Sequence, residues 1–254
     1  MKNLALSLAL LSLACTTTTT HPCVPGDTLL SATLWMQRSA EYRANAMQAY
    51  GMARRALDAA LTQPSTLPPA VVLDLDETSL DNMGFESSVI QKGITYDQTM
   101  WNDWIAKEAA QGTPGAKEFL QYAASRGVTP YYITNRRNAE KEHTRANLAA
   151  LGYPLGDDTL IVRGESDPKD KTSRRERIAA THRIVLLLGD DLNDFTDAST
   201  KTPAERERII TDNAANWGTK WVILPNPVYG SWVDTLLPSG TGTTDCEKKR
   251  SLLR

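Results

Sequence analysis

Acidic residues gather where apolar runs end. Val71-Val72-Leu73 leads straight into Asp74-Leu75-Asp76-Glu77-Thr78, and the run Ile184 to Leu188 ends in Gly189-Asp190-Asp191-Leu192-Asn193-Asp194. Between them stand Thr134-Asn135-Arg136, after Tyr131-Tyr132-Ile133, and the lysines Lys169 and Lys171. Carboxylates brought together in one place repel each other or take up protons. A hard dication relieves that conflict, and an all-oxygen ligand set points to Mg²⁺ rather than zinc. The only histidines, His21, His143 and His182, are scattered, which argues against a histidine-rich metal site. A carboxylate beside such a cation can attack phosphorus and carry the phosphoryl group as an aspartyl phosphate. That chemistry also needs donors for the phosphate oxygens and an acid for the leaving group. Thr134 with the Asn135 amide, a lysine, and Asp76 offer these.

Other phosphate chemistries lack their residues. There is no Arg-His-Gly for a histidine nucleophile and no Cys-x5-Arg for a thiolate one. A Gly-x4-Gly-Lys-Ser/Thr loop for nucleoside triphosphates is absent as well. Net charge is −2 with no long basic run, so electrostatic capture of polymeric nucleic acid is not indicated. A small phosphorylated substrate remains open, since a cation and a few donors can hold it. His143 reads as a surface helix residue and His182 as a turn residue. Trp104 and Trp232 read as core aromatics.

These residues need elements to bring them together. Short apolar runs recur at Val71–Leu73, Tyr131–Ile133, Leu160–Val162, Ile184–Leu188 and Trp221–Leu224. Segments of helix composition alternate with them: Gly115–Arg126, Ala139–Leu151, Ser173–His182 and about Ala204–Ala214. That alternation predicts an α/β fold, a doubly wound parallel sheet with right-handed crossovers. Ligands in such sheets bind at the carboxyl ends of the strands, where the polar groups above fall. Leu29 to Leu61 reads as helical, ended by Pro64, Pro68 and Pro69. The main domain is expected over 29–238, with an N-terminal helical segment at 29–62. An accessory helical subdomain is expected at 81–112, over the site's edge, carrying Tyr96, Trp101 and Trp104. A C-terminal tail occupies 239–254.

The first residues read as a leader. Met1-Lys2-Asn3 is a short positive start, and Leu4 to Leu13 is an apolar run too short for a membrane span. Residues 1–14 are expected to be a signal peptide. Ser12-Leu13-Ala14-Cys15 is similar to a lipoprotein signal, with Leu one place late and Cys15 as the lipid-bearing residue. A plain cleaved signal with a bystander cysteine is the alternative. Thr16 to Thr20, Pro22 and Pro25 make 15–28 a flexible tether. Cys23 and Cys246 are then the remaining thiols. Export permits a disulfide between them, two free cysteines being the alternative.

Taken together, the motifs resemble the haloacid dehalogenase-like superfamily: Asp-x-Asp-x-Thr, a strand-end Thr, a Lys, then Gly-Asp-x-x-x-Asp. More narrowly they resemble the class C bacterial acid phosphatases, the outer-membrane lipoprotein 5′-nucleotidase type. The resemblance rests on Ala32-Thr33-Leu34-Trp35, Asp74 to Asn82, Trp101-x-x-Trp104, Pro114-Gly115-Ala116, Thr134-Asn135-Arg136, Gly189 to Phe195, and Leu224-Pro225-Asn226-x-x-Tyr229-Gly230-x-Trp232. It implies a Mg²⁺-dependent acid phosphatase acting on nucleoside monophosphates and other small phosphomonoesters. Asp74 would be nucleophile and metal ligand. Asp76 would be general acid then base, lending its backbone carbonyl to the metal. Asp190 would ligate directly, and Asp194 would support the metal, Thr134 and Asn135 the phosphate. The resemblance asks for a lysine at position 170, which is Asp here; Lys171 takes the role, with Lys169 as alternative. Trp101 and Tyr229 would sandwich a nucleotide base. An acidic optimum follows, because Asp76 must begin protonated. The implied location is the outer membrane, facing the periplasm or the cell surface, with membrane contact only through the lipid; a homodimer stays open. Rival readings are a nucleotide-binding lipoprotein without turnover and a phosphotransferase.

Overall fold

A computed structural model describes residues 24–237 and 245–253. Five strands form one parallel sheet: β1 (Pro69–Leu73), β4 (Thr129–Arg137), β5 (Leu160–Arg163), β6 (Arg183–Gly189) and β7 (Trp221–Ile223). Their order is β5-β4-β1-β6-β7. A two-stranded antiparallel ribbon joins β2 (Leu80–Asp81) to β3 (Gln111–Gly112). The ten helices described are α1 (Asp27–Arg38), α2 (Ala40–Leu61), α3 (Met83–Gln91), α4 (Gln98–Ala106), α5 (Ala116–Ser125), α6 (Lys141–Ala150), α7 (Thr172–Ala179), α8 (Pro203–Asp212), α9 (Ser231–Leu236) and α10 (Asp245–Leu252). The doubly wound α/β sheet expected from the alternating runs is therefore present.

Side-chain alternation along β1 loads both faces of the sheet. Val71 and Leu73 join a core that includes Leu57 of α2, Phe119 and Leu120 of α5 and Leu148 of α6. Ala70 and Val72 pack the opposite way, with Ile133 and Ile178 of α7. Strand β1 is central and buried on both faces, so its carboxyl end is the deepest point of the ligand edge.

The N-terminal helical segment differs from one continuous helix. It breaks at Ser39, whose backbone is extended and whose hydroxyl accepts a hydrogen bond from Tyr42 N at 3.0 Å. Serine competes for nearby backbone donors in this way and starts a new helix. Helix α1 then packs on α3, with Leu29 and Met36 in a small cluster with Met83 and Val228. Segment 81–112 holds α3 and α4, closed by the β2–β3 ribbon.

The leader, Cys15, Cys23 and residues 238–244 lie outside the described residues. Pro25 and Gly26 lead directly into α1. Cys246 in α10 is buried and disulfide-bonded, while Cys23, the expected partner, is not described. Lys249 of the same helix donates to Thr28 Oγ1 at 3.1 Å. Among the described residues, no helix is long and apolar enough to cross a membrane.

Candidate active site

Strand β1 delivers Asp74 beside β6, its N–H bonded to Leu188 O at 3.0 Å. The chain then folds back tightly. Leu75 O accepts from the N–H groups of Thr78, Ser79 and Leu80, and Glu77 sits at φ 58°, a rare conformation for a residue with a Cβ. The fold-back is held by Ser79 Oγ donating to Asp74 O at 2.7 Å and by Asn82 N donating to Glu77 Oε1 at 2.8 Å. Strain of this kind persists where surrounding bonds over-determine it. Here it turns Asp74 and Asp76 into the same cavity, of about 630 Å³.

Asp74, Asp190 and Asp194 each offer an oxygen within 4.8 Å of the others. Lys171, at the start of α7, is buried between them: its Nζ donates to Asp74 Oδ1 and lies 2.6 Å from Asp194 Oδ1. Both carboxylates hold the lysine protonated against the cost of its burial. Burial raises the Asp74 carboxyl; Lys171 opposes the rise, and Asp194 and Asp76 add to it. Asp190 is also pushed well up, by burial and then by Asp194 and Asp74. One lysine leaves this group of acids short of positive charge. Three oxygen donors with excess negative charge suit a divalent cation, so the residues present fit one.

Asp76 faces the same space from a different set of partners. Its Oδ1 accepts from Asn82 Nδ2 at 2.9 Å and from Arg136 Nε and Nη2 at 3.0 and 2.7 Å. Its Oδ2 accepts only from Thr134 Oγ1, at 3.3 Å. Arg136 is itself fixed by Thr144 Oγ1 at 3.1 Å. Asn82 Oδ1 is fixed by the indole N–H of Trp104 at 2.9 Å.

Strand β6 ends in Gly189, and Asp194 folds back onto it. Asp194 Oδ2 accepts from Asp190 N and Asp191 N at 3.1 and 3.0 Å. A Cβ at Gly189 would lie 2.2 Å from Asp194 Oδ2, so only glycine allows this approach. Asp190 accepts from Thr78 Oγ1 at 3.0 Å and from Asn226 Nδ2 at 2.8 Å. Asp191 anchors the loop after β7, accepting from Ser231 N at 2.6 Å.

The expected residues therefore meet at one edge. Asp74, Asp76, Asn135, Lys171, Asp190, Asp194, Trp101 and Tyr229 all line the cavity. Thr134 is fully buried beneath it, its hydroxyl accepting from Arg136 N at 3.0 Å while donating to Asp76. Lys169 also lines the cavity, but Lys171 is the lysine that touches Asp74. Trp101 stands edge-on to Phe85, ring centroids 5.0 Å apart, with the Arg136 guanidinium 5.5 Å from its ring centroid. His143 is exposed, paired with Glu108 at 2.7 Å. His182 caps the entry to β6, near Tyr131. Trp104 packs against the main core, whereas Trp232 is 37% exposed, so the expectation that Trp232 is core is corrected. It lies on a short surface helix, its N–H turned back to Tyr229 O.

Sequence reasoning noted Asn82, Arg136 and Asn226 only as parts of motifs, with no role, and missed Glu86, which also lines the cavity. Arg136 and Asn226 had a signal, since both follow predicted strands. Glu86 had none, because it lies in the middle of α3.

Two solved structures of the class C acid phosphatase from Bacillus anthracis are similar to this chain at 38% identity. Each match covers 90% of this chain and 98% of the other, with TM-scores of 0.83 and, for the tungstate-bound form, 0.85. A family model described as HAD superfamily, subfamily IIIB (acid phosphatase), matches residues 3–232. The chain belongs to that family, the acid phosphatases of HAD subfamily IIIB, and is a phosphomonoester hydrolase.

Proposed function

We propose that this protein is an exported Mg²⁺-dependent phosphatase that hydrolyses nucleoside 5′-monophosphates and other small phosphomonoesters through a phosphoryl group carried on Asp74. The observation that carries the reading is the division of labour between two carboxylates in one cavity. Asp74 lies with Lys171 and the other two acids, whereas Asp76 lies with Arg136 and Asn82. The similar Bacillus anthracis enzyme binds tungstate, an oxyanion with the tetrahedral form of phosphate.

Asp74, Asp190 and Asp194 would hold the cation, with the Asp76 backbone carbonyl completing the protein's share. When bound, Mg²⁺ supplies positive charge that keeps Asp74 ionised and offsets the charge of the phosphate. Asp74 attacks phosphorus, and the bond to the leaving oxygen breaks. Lys171, held protonated, meets the negative charge on the phosphate oxygens. Asp76 gives a proton to the departing alcohol from Oδ2, since Oδ1 is occupied by three donors. The same oxygen then takes a proton from water, which attacks the phosphorus of the aspartyl phosphate and frees Asp74. Trp101 and Tyr229 supply faces for a base. Export and lipid attachment at Cys15 belong to the same reading and rest on the leader alone.

The test is turnover of p-nitrophenyl phosphate by wild type and Asp74→Asn, with Mg²⁺ and with excess EDTA. Chelation should abolish activity and Mg²⁺ restore it. Asp74→Asn should fall to background while staying folded. Full activity in EDTA, or an active Asp74→Asn, would sink the mechanism.

A further inference from the structure

Every other buried acid in the described residues has a donor. Asp74 and Asp194 share Lys171, Glu77 accepts from Asn82 N, and Glu140 accepts from Arg137 N at 2.7 Å. Glu86 is the exception. It is 5% exposed and lines the cavity, and its carboxyl has no hydrogen bond or ion pair among the described residues. Its carboxyl is pushed up to about 8, and burial alone does this.

A buried polar group without a partner costs stability. Its place on a cavity wall makes the missing partner a ligand. The same cavity also carries the apolar groups Leu29, Phe85, Trp101 and Val228, and a polar group among such surfaces is the kind that fixes a ligand's orientation. That partner is not the phosphate. Phosphate brings acceptors and negative charge, and Lys171, beside Asp74, stands at the phosphate end. Glu86 offers an oxygen acceptor in either protonation state, so it matches a donor on the leaving group.

We infer that Glu86 is a specificity-determining residue that accepts a hydrogen bond from the nucleoside half of the substrate. This rests on the nucleotide reading above. The donor is an N–H or O–H: the exocyclic amine of the base or a hydroxyl of the ribose. Glu86 takes no part in the chemistry at phosphorus, so phosphates without such a donor are indifferent to it.

The experiment measures kcat/KM on four substrates: AMP; purine-riboside 5′-monophosphate, which lacks the 6-amino group; 2′,3′-dideoxy-AMP, which lacks both ribose hydroxyls; and glycerol phosphate. The enzymes are wild type, Glu86→Gln, which keeps an acceptor oxygen, and Glu86→Leu, which keeps bulk alone. Wild type should prefer AMP over one analogue by about 5- to 30-fold. The disfavoured analogue identifies the donor as base or ribose. Glu86→Gln should keep the preference. Glu86→Leu should lose it while hydrolysing glycerol phosphate as wild type does. Should AMP be favoured over glycerol phosphate, yet all three nucleotides be treated alike by wild type, the inference falls and the nucleotide reading stands. A Glu86→Leu enzyme that keeps the preference has the same consequence. Equal kcat/KM for AMP and glycerol phosphate in wild type would remove the nucleotide reading and the inference together.

Discussion

Asp76 presents two unequal oxygens. Oδ1 meets three short donors and Oδ2 a single long one, so a proton delivered to a leaving group travels on Oδ2. In the proposed mechanism Asp76→Asn keeps the shape but cannot act as the acid. Turnover of alkyl phosphates should fall by about 10²–10⁴. The loss on p-nitrophenyl phosphate should be smaller, because that leaving group needs little protonation. Equal losses on both substrates would remove the acid role from Asp76. Glu86 gives a second prediction at this scale. Burial raises its carboxyl from 4.5 to about 8. Between those values the folded chain holds a proton that the unfolded chain has released. Stability from this group is therefore complete below pH 4.5 and lost as pH rises through about 8. Glu86→Gln stays uncharged throughout. Its unfolding free energy should match wild type at low pH and exceed it above pH 8 by on the order of 1–4 kcal/mol, read by denaturant titration at each pH. A difference that does not change with pH would show that Glu86 finds a partner in solution.

At the scale of elements, the ends of β1 and β6 matter more than their interiors. Each strand delivers its acids through a turn that regular backbone would not make. After β1 the turn depends on Glu77 at positive φ; after β6 it depends on the missing Cβ of Gly189. Gly189→Ala would drive a methyl group into the Asp194 carboxylate. Asp194 would have to leave the N–H groups of Asp190 and Asp191, and Lys171 would lose one of its two carboxylates. If the proposed cation binds there, its affinity should fall by roughly 10- to 100-fold, the usual effect of disturbing groups that orient ligands. A Mg²⁺ titration of activity reads this directly. An unchanged half-saturating concentration would mean that Asp194 does not support the cation. The helices were legible from composition and prolines, but the break at Ser39 was not. It depends on one hydroxyl finding Tyr42 N, an outcome that composition does not encode.

The cavity is assembled by the whole molecule. Leu29 comes from α1, Glu86 from α3, Trp101 from α4, Tyr229 from the loop after β7 and Lys249 from α10. If Trp101 and Tyr229 take up a base, Trp101→Ala and Tyr229→Ala should each lower kcat/KM for AMP by roughly 5- to 150-fold. Glycerol phosphate, with nothing to stack, should be nearly unaffected. Matching losses on both substrates with a lowered melting temperature would identify the rings as packing residues. The acids that line the cavity were legible in the chain because they follow apolar runs, and an α/β sheet sends every strand end to one edge. Residue type at a strand end is local information, and it was enough to gather Asp74, Asp76, Asp190 and Asp194 at one edge, with Lys169 and Lys171 both in reach. Their partners were not legible. Arg136 reaches Asp76 across sixty positions, Asn226 reaches Asp190 across thirty-six, and Lys171 reaches Asp74 across ninety-seven. Glu86 carries no local mark at all, and its importance lies in what fails to surround it. Hydrogen bonds between distant segments, and the lack of one, depend on where the strands and helices finally pack, so only the tertiary structure decided them.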